Sequence, residues 1–242
     1  MISKAIIKDI QNLAHKEGRA EQGLFLAEGL KWAEELLATA PHQVHTLYAK
    51  RSWLQANAHL CASLQVEEVD DVMMHRLSQL RSPQEVLMTV RMFDRPIQSA
   101  SAGIHLVLST IQDPGNMGTL IRTADWFGVK QVVCSLDCVD AYNPKVVQAT
   151  MGSLIRVPVV ATDLNLWLSK QTNVPTFAAV LNGTDYASVS GPGILMMGNE
   201  SKGLSPELLQ LATAPITIPH RGKAESLNVS VAAGILLAQL SR

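Results

Sequence analysis

The chain has 242 residues, of which 47% are hydrophobic and 17% are charged, and its formal net charge is −1. This composition excludes a disordered chain, and the net charge excludes a strongly basic polyanion binder. No apolar run reaches membrane-spanning length and no signal peptide is present, so we expect a cytoplasmic protein. Cys61, Cys134 and Cys138 are odd in number and not spaced as pairs. They predict free thiols in a reducing compartment.

The first ninety or so residues alternate helix and strand signals and predict a small α/β unit. Up to residue 40 the pattern indicates a helix, a loop bracketed by Gly18 and Gly23, and a second helix that begins near Leu30. Strands are predicted at 44–49, 64–69 and 86–93, and helices at 52–60 and 70–80.

Residues 94–103 contain Pro96 and several small residues and are predicted to form a linker. We therefore divide the chain into an N-terminal domain (1–93), the linker and a C-terminal domain (104–242). In the C-terminal domain, strands are predicted at 104–109, 131–135, 155–160, 176–181, 194–197 and 216–218, with helices between and after them. This alternation predicts a parallel sheet covered on both faces, with ligands bound beyond the carboxyl ends of the strands.

The stretch 111–128 directly follows the first of these strands and indicates a tight loop and a helix. Proline and glycine at 114 and 115 break the chain, and Asn116 is expected to cap the helix. Gly128 is expected to end it in a left-handed conformation. At helical spacing, Arg122 lies opposite the apolar face of this helix, which comprises Met117, Leu120, Ile121, Ala124 and Phe127.

Two further loops of glycine and small polar residues, at 198–204 and 218–230, each follow an apolar run. In order and spacing over about residues 104–242, the three stretches resemble the SpoU (TrmH-like) family of RNA ribose 2'-O-methyltransferases, within the SPOUT class. The resemblance implies a trefoil knot in the C-terminal domain, which residue patterns alone do not predict. It also implies a homodimer and an N-terminal substrate-binding domain like that of the ribosomal members.

The resemblance implies five catalytic residues, namely Asn116, Arg122, Glu200, Ser226 and Asn228. A guanidinium keeps its proton in proteins, so we expect Arg122 to bind a phosphate and stabilise the developing alkoxide rather than act as a base. Asn116 would orient Arg122 or the ribose, and Glu200 would hold Asn116 or Arg122 by a hydrogen bond. Ser226 and Asn228 would either touch the nucleophile or cap the last helix.

The resemblance also implies S-adenosylmethionine as the methyl donor, with five binding residues: Leu181, Gly198, Asn199, Ile218 and Leu227. Without the family, Ile218 and Leu227 would be interpreted as core residues. The segment from Gly191 to Gly193 lacks the third glycine of a dinucleotide fingerprint and precedes a strand, which argues against a Rossmann site. No residues stand at metal-ligand spacing, so no metal is expected.

Ribosomal RNA is the expected substrate and transfer RNA the alternative. A non-catalytic RNA-binding relative is a further alternative, disfavoured because the catalytic residues at 116, 122, 200 and 228 are all retained. Lys16 and Arg19 are candidates for phosphate contacts that position RNA, although each alone also fits a solvated helix end. Residues 229–240 are apolar nearly all round and predict a helix buried in its own chain or in a subunit interface.

Overall fold

The structure is a computed structural model that describes residues 2–100 and 102–242, so Met1 and, in the predicted linker, Ser101 lie outside the described residues. Its contacts divide the chain into two compact units. The first comprises the residues before Arg95 together with Asp140–Ile155, and the second comprises Arg95–Val139 and Arg156–Arg242. The sequence pattern does not predict that Asp140–Ile155 belongs with the first unit. Among the described helices, none combines the length and the apolar character needed to cross a bilayer.

Helices and strands follow one another along most of the described chain. The helices are α1 (Lys4–Asn12), α2 (Lys16–Gln22), α3 (Leu30–Thr39), α4 (Arg51–Ala56), α5 (Ala58–Cys61), α6 (Asp71–Leu77), α7 (Pro114–Trp126), α8 (Pro144–Thr150), α9 (Leu164–Leu168), α10 (Pro206–Gln210) and α11 (Val229–Leu240). The strands are β1 (Leu24–Glu28), β2 (Val44–Ala49), β3 (Val66–Glu68), β4 (Val86–Arg91), β5 (Ile104–Leu108), β6 (Val132–Cys134), β7 (Val159–Ala161), β8 (Thr176–Asp185), β9 (Gly193–Met197) and β10 (Ala214–Thr217).

The first unit is built on a four-stranded sheet in the order β1-β4-β2-β3. The strand predicted at 44–49 is confirmed as β2, and those predicted at 64–69 and 86–93 are confirmed in shorter form as β3 and β4. The loop predicted between Gly18 and Gly23 is wrong, because α2 occupies it and Gly23, at φ +64°, ends that helix. The apolar run after Gly23 forms β1, which pairs along its whole length with β4.

Arg19 is buried in the first unit, so the prediction that it contacts RNA phosphates is wrong. Only 2% of it is exposed. Its guanidinium donates to the main-chain oxygens of Leu13 and Ala14, at 2.9 and 3.0 Å, and its Nε donates to the Asp140 carboxylate at 3.0 Å. A cation removed from water needs such partners. Arg19 therefore holds the first unit together and has no donor facing solvent for RNA. Lys16 is exposed, as predicted.

The segment Asp140–Ile155 also supplies an aromatic and a polar contact to the first unit. The Trp32 indole nitrogen donates to the main-chain oxygen of Val147 at 2.9 Å, so this fully buried side chain is satisfied. The Tyr142 ring lies 4.9 Å from that of Phe25, centroid to centroid. These contacts explain why the segment groups with residues that are more than a hundred positions away in sequence.

The second unit contains a six-stranded sheet in the order β10-β8-β9-β5-β6-β7, and every neighbouring pair is parallel. The predicted parallel sheet is therefore confirmed. Its strands supply buried apolar residues to a core that α9 and α10 cover; this core includes Val107, Val133, Ala178, Ile194, Met196, Trp167, Leu168 and Leu208. Both faces of such a sheet need cover because parallel strands are buried on both sides. The trefoil knot stays a prediction.

Helix α11 packs against α7 and β9. It buries one side, with Val229, Ala233, Leu236, Leu237 and Leu240, whereas Val231 on another side is 52% exposed. Of the two predicted alternatives, burial of the whole helix within its own chain is therefore excluded. A subunit interface remains the alternative that would cover the exposed apolar side.

The ion pair between Arg19 and Asp140 gives a prediction for stability. Asp140→Asn keeps the shape of the side chain but leaves the buried Arg19 cation without an opposite charge. We expect the free energy of unfolding, measured by urea denaturation, to fall by about 3 kcal/mol. The control is Glu68→Gln, which removes the exposed partner of Arg51 and should cost at most about 1 kcal/mol. An Asp140→Asn variant as stable as the wild type would contradict a structural role for Arg19.

Candidate active site

Three loops of the second unit meet at the carboxyl edge of its sheet. They follow β5, β9 and β10, and because these strands are parallel their carboxyl ends lie on one side. The first loop leads into α7, the second spans residues 198–205, and the third spans residues 218–228 and leads into α11. The predicted placement of all three motifs at this edge is what the structure shows.

The side chain of Asn116 joins the three loops. Its Nδ2 donates to Glu200 Oε1 at 2.7 Å, and its Oδ1 accepts from Asn228 Nδ2 at 2.9 Å. An asparagine amide offers both a donor and an acceptor, so one side chain ties the second loop and the third loop to the first. We refer to Asn116, Glu200 and Asn228 as the amide cluster. Of the two partners predicted for Glu200, the structure places it on Asn116.

Asn116 is held at the third position of α7 rather than at its N-cap. The cap is Asp113, whose Oδ1 accepts from the Asn116 amide at 2.7 Å, and Pro114 occupies the first helical position. The sequence prediction of Asn116 as the cap is thus wrong. Aspartate followed by proline is itself a helix-start signal that identifies the cap. The other end is as predicted, because Gly128 follows the helix at φ +66°.

Asn228 caps α11 and joins the amide cluster at the same time. Its Oδ1 accepts from the amides of Ser230 and Val231, at 2.9 and 3.4 Å, which leaves Nδ2 free to donate to Asn116. The hydroxyl of Ser230 donates to the main-chain oxygen of Asn116 at 3.2 Å, a contact that no sequence signal indicated. Ser226 is exposed in the third loop, without a hydrogen-bond partner among the described residues.

Arg122 projects from the solvent side of α7. It is exposed, whereas Met117, Leu120, Ile121 and Ala124 on the opposite side are buried, as the helical spacing predicts. Within the described residues it forms no ion pair, in contrast to Arg156, which pairs with Asp125 in the same unit. Its five donors therefore remain available to a ligand at the surface.

The second loop is closed by its own backbone. A Cβ on Gly198 would lie 2.3 Å from the carbonyl carbon of Gly203, so no side chain fits at position 198. Asn199 and Gly203 exchange two main-chain hydrogen bonds, at 3.2 and 2.8 Å. The side chain of Asn199 accepts from the amides of Ser201 and Lys202. This tight turn presents Glu200 to Asn116.

The predicted cofactor residues Leu181, Ile218 and Leu227 surround the same edge and leave apolar surface uncovered. Leu181 is 71% exposed and Leu227 is 48% exposed, while Ile218 is half-buried. Leu181 lies in a long bulge of β8. The pairing of β8 with β10 runs up to Ala178 and resumes six residues later, at Thr184. Its main-chain oxygen accepts from the Thr217 hydroxyl at 2.9 Å. The bulge was not predicted, and the interpretation of Leu227 as a core residue is excluded by its exposure.

The cysteines near this edge are thiols, as predicted. Cys134 is buried at the end of β6, and Cys138 is half-buried in the turn that follows. A hydrogen bond from the Cys134 thiol, with further donors from Ser135 and the Ile111 amide, lowers the pKa of Cys138. Among the described residues, no group of three or more His, Cys, Asp or Glu side chains is arranged to hold a metal ion.

Comparison with known proteins agrees with this geometry in both units. The model of the SpoU rRNA methylase family matches residues 103–238, and that of the MRM3-like substrate-binding domain matches residues 4–88. The chain therefore belongs to the SpoU methylase family. The resemblance stated from the three motifs is confirmed.

Three relatives are similar over most of their length. The chain is 32% identical to the 23S rRNA (guanosine(2553)-2'-O)-methyltransferase RlmP of Bacillus subtilis, over 97% of this chain and 95% of that protein. It is 29% identical to a 23S rRNA (uridine(2479)-2'-O)-methyltransferase of Streptomyces viridochromogenes, over 88% and 71% of the two chains. The crystal structure of an AdoMet-bound rRNA methyltransferase from Sinorhizobium meliloti superposes with a TM-score of 0.87 at 31% identity, over 99% of this chain and 95% of that one.

Proposed function

We propose that this protein transfers the methyl group of S-adenosylmethionine to a ribose 2'-hydroxyl of ribosomal RNA. The observation that carries the proposal is the amide cluster, which brings together one residue from each of the three motifs at the carboxyl edge of the sheet. The family and the relatives that methylate 23S rRNA support the reaction and the substrate class. Transfer RNA is the second candidate.

The residues at the edge suit an adenosine-containing methyl donor. Leu181 and Leu227 expose apolar side chains that a purine ring would cover, and such exposure at a sheet edge is typical of a ligand site. Ile218 lies at the base of the third loop, and Gly198 and Asn199 lie at the start of the second loop. When bound, the donor supplies a methyl group on a positively charged sulfur that a nucleophile can attack.

Arg122 and Glu200 are the charged side chains through which this chain would act on the ribose. Arg122 keeps its proton, so we assign it to bind an adjacent phosphate and to stabilise negative charge developing on the 2'-oxygen. Glu200 uses Oε1 for Asn116, and among the described residues Oε2 has no partner. That oxygen is available to accept a hydrogen bond from the 2'-hydroxyl. Asn116 fixes the direction of the Glu200 carboxylate.

Recognition of RNA outside the active site is assigned to the first unit. Residues 4–88 match the MRM3-like substrate-binding domain. Lys16, exposed at the first position of α2, remains our candidate for a phosphate contact there. Arg19 is excluded by its burial. A ribosomal substrate would place the protein in the cytoplasm.

We further propose a homodimer formed through α7 and α11. These helices run side by side in the same direction, since Asn228 bonds to Asn116 near their beginnings and Gly234 faces Thr123 farther along. Val231 on α11 is 52% exposed and Trp126 on α7 is 84% exposed. A second copy covering this helix pair would remove both apolar side chains from water.

The proposed function is tested by ligand binding and by RNA methylation. We expect S-adenosylhomocysteine to bind in calorimetry and to raise the melting temperature, whereas NAD does neither. Mapping 2'-O-methylation in total RNA with and without the gene should reveal one missing methyl group in ribosomal RNA. Binding of NAD without binding of S-adenosylhomocysteine would overturn the proposal. A missing methyl group in transfer RNA would favour the second candidate.

Removing Arg122 should slow the chemical step and leave cofactor binding intact. If Arg122 stabilises charge that develops on the 2'-oxygen, Arg122→Ala should reduce the single-turnover rate of methyl transfer by about a hundredfold or more. Affinity for S-adenosylhomocysteine should stay within about threefold, because the contact forms mainly in the transition state. Arg122→Lys should recover little, since lysine lacks the planar fork.

The matched control for Arg122 is Lys170→Ala, which removes an exposed cation of the same unit that lies outside the three loops. We expect near-normal transfer from this variant. Near-normal transfer by Arg122→Ala as well would show that Arg122 is an ordinary solvated arginine without a role in the reaction.

The proposed dimer is tested by placing a charged side chain in its interface. The wild-type chain should sediment at twice its mass of 26.2 kDa, and Val231→Asp should sediment as a monomer because a buried unpaired carboxylate opposes association. The control is Leu166→Asp, which places the same charge at an exposed leucine on α9 and should leave the dimer unchanged. A wild-type monomer at micromolar concentration would contradict the assembly.

A further inference from the structure

Thr110, the second residue after β5, adopts a left-handed backbone with φ +57°. This region suits glycine and is tolerated by asparagine or aspartate, whereas a β-branched residue is strained in it. Among the described non-glycine residues only Met151 shares a positive φ. Such strain persists only where surrounding contacts determine the conformation, and it concentrates at functional sites.

The contacts that determine the conformation of Thr110 come from the turn after β6. The Thr110 amide donates to the Ser135 hydroxyl at 2.9 Å, and the Thr110 hydroxyl donates to Asp137 Oδ2 at 2.9 Å. Asp137 also accepts from the Ser135 hydroxyl. Hydrogen bonds from the Ser135 and Thr110 hydroxyls lower the pKa of Asp137, so it stays ionised as their acceptor at neutral pH.

The main-chain oxygen of Thr110 connects this strained residue to the second loop. It accepts from Asn199 Nδ2 at 3.0 Å, and Asn199 Oδ1 then accepts from the amides of Ser201 and Lys202, at 3.0 and 3.1 Å. Along an extended strand, the carbonyls of successive residues point in alternate directions. The left-handed turn instead places the Thr110 oxygen where the Asn199 side chain reaches it.

We propose that Thr110 is a positioning residue, held by Asp137 and Ser135, that fixes the turn 199–203 and thereby the orientation of Glu200. The proposal deepens the proposed function and rests on it for the identity of the ligand. Thr110 touches neither Glu200 nor Asn116 in the described contacts and acts only through Asn199. The position of the second loop thus depends on the hydrogen bond between the Thr110 hydroxyl and the Asp137 carboxylate, in the turn after β6.

The test separates the hydroxyl from the backbone conformation of Thr110. Thr110→Gly relieves the backbone strain but removes the hydroxyl, whereas Thr110→Ser keeps the hydroxyl. For Thr110→Gly we expect amide hydrogen exchange in residues 197–205 to accelerate and affinity for S-adenosylhomocysteine to fall, each by about tenfold, the effect of one hydrogen bond on an equilibrium. Its melting temperature should be unchanged or higher. Thr110→Ser should restore both readouts to near wild-type values.

Asp137→Ala removes the acceptor in the turn after β6 and should reproduce both effects. The double variant Thr110→Gly/Asp137→Ala should be no worse than Asp137→Ala alone, because the Thr110 hydroxyl acts only through Asp137. The control, Asp163→Ala, removes the aspartate that caps α9 in the same unit and should leave exchange in 197–205 unchanged.

The proposal is overturned if Thr110→Gly matches the wild type in both exchange and affinity, because glycine would then satisfy everything that position requires. Additive effects in the double variant would also overturn it. If the wild type fails to bind S-adenosylhomocysteine, the proposed function fails. The exchange measurement, which needs no ligand, then decides the role of Thr110 alone.

Discussion

The primary amide of Asn116 donates with its nitrogen and accepts with its oxygen, and each direction holds a segment from a different part of the sequence. Glu200 is 84 residues away and Asn228 is 112 residues away. The two directions cannot be exchanged, because a carboxylate only accepts and Asn228 must donate. An aspartate at 116 would lose the donor and face a like charge. The site therefore depends on this one side chain being an amide.

Support for Asn116 comes from helix ends rather than from the core. Asp113 accepts from its main-chain amide, and Ser230, in the first turn of α11, donates to its main-chain oxygen. Asn228 serves as a cap and as a site residue with different atoms of one side chain. A helix cap fixes a side chain against specific main-chain amides, so both caps help to position the site. The second loop is compact because the backbone of Gly203 lies directly against Gly198.

Features set by local pattern were predictable from the sequence, and features set by distant contacts were not. The parallel strands and the solvent side of α7 follow from hydrophobic periodicity over neighbouring residues. The burial of Arg19 depends on Asp140, 121 residues away, and no local signal distinguishes it from exposed Lys16. The left-handed Thr110 contradicts the preference of its own side chain and exists because residues beyond β6 impose it. The cap at Asp113 is readable from its proline neighbour, because proline is common at the first helical position.

The two-part composition of the first unit has a consequence for synthesis on the ribosome. The stretch up to residue 94 emerges first, yet Arg19 finds its carboxylate partner and Trp32 its acceptor only when Asp140–Ile155 has been made. At translation rates of about 5–20 residues per second, that delay lasts roughly 3–12 s. During this time β5 and β6 are synthesised, while Arg19 lacks its carboxylate partner and the Trp32 indole lacks its acceptor. Completion of the first unit therefore waits for a chain segment that is synthesised in the middle of the second.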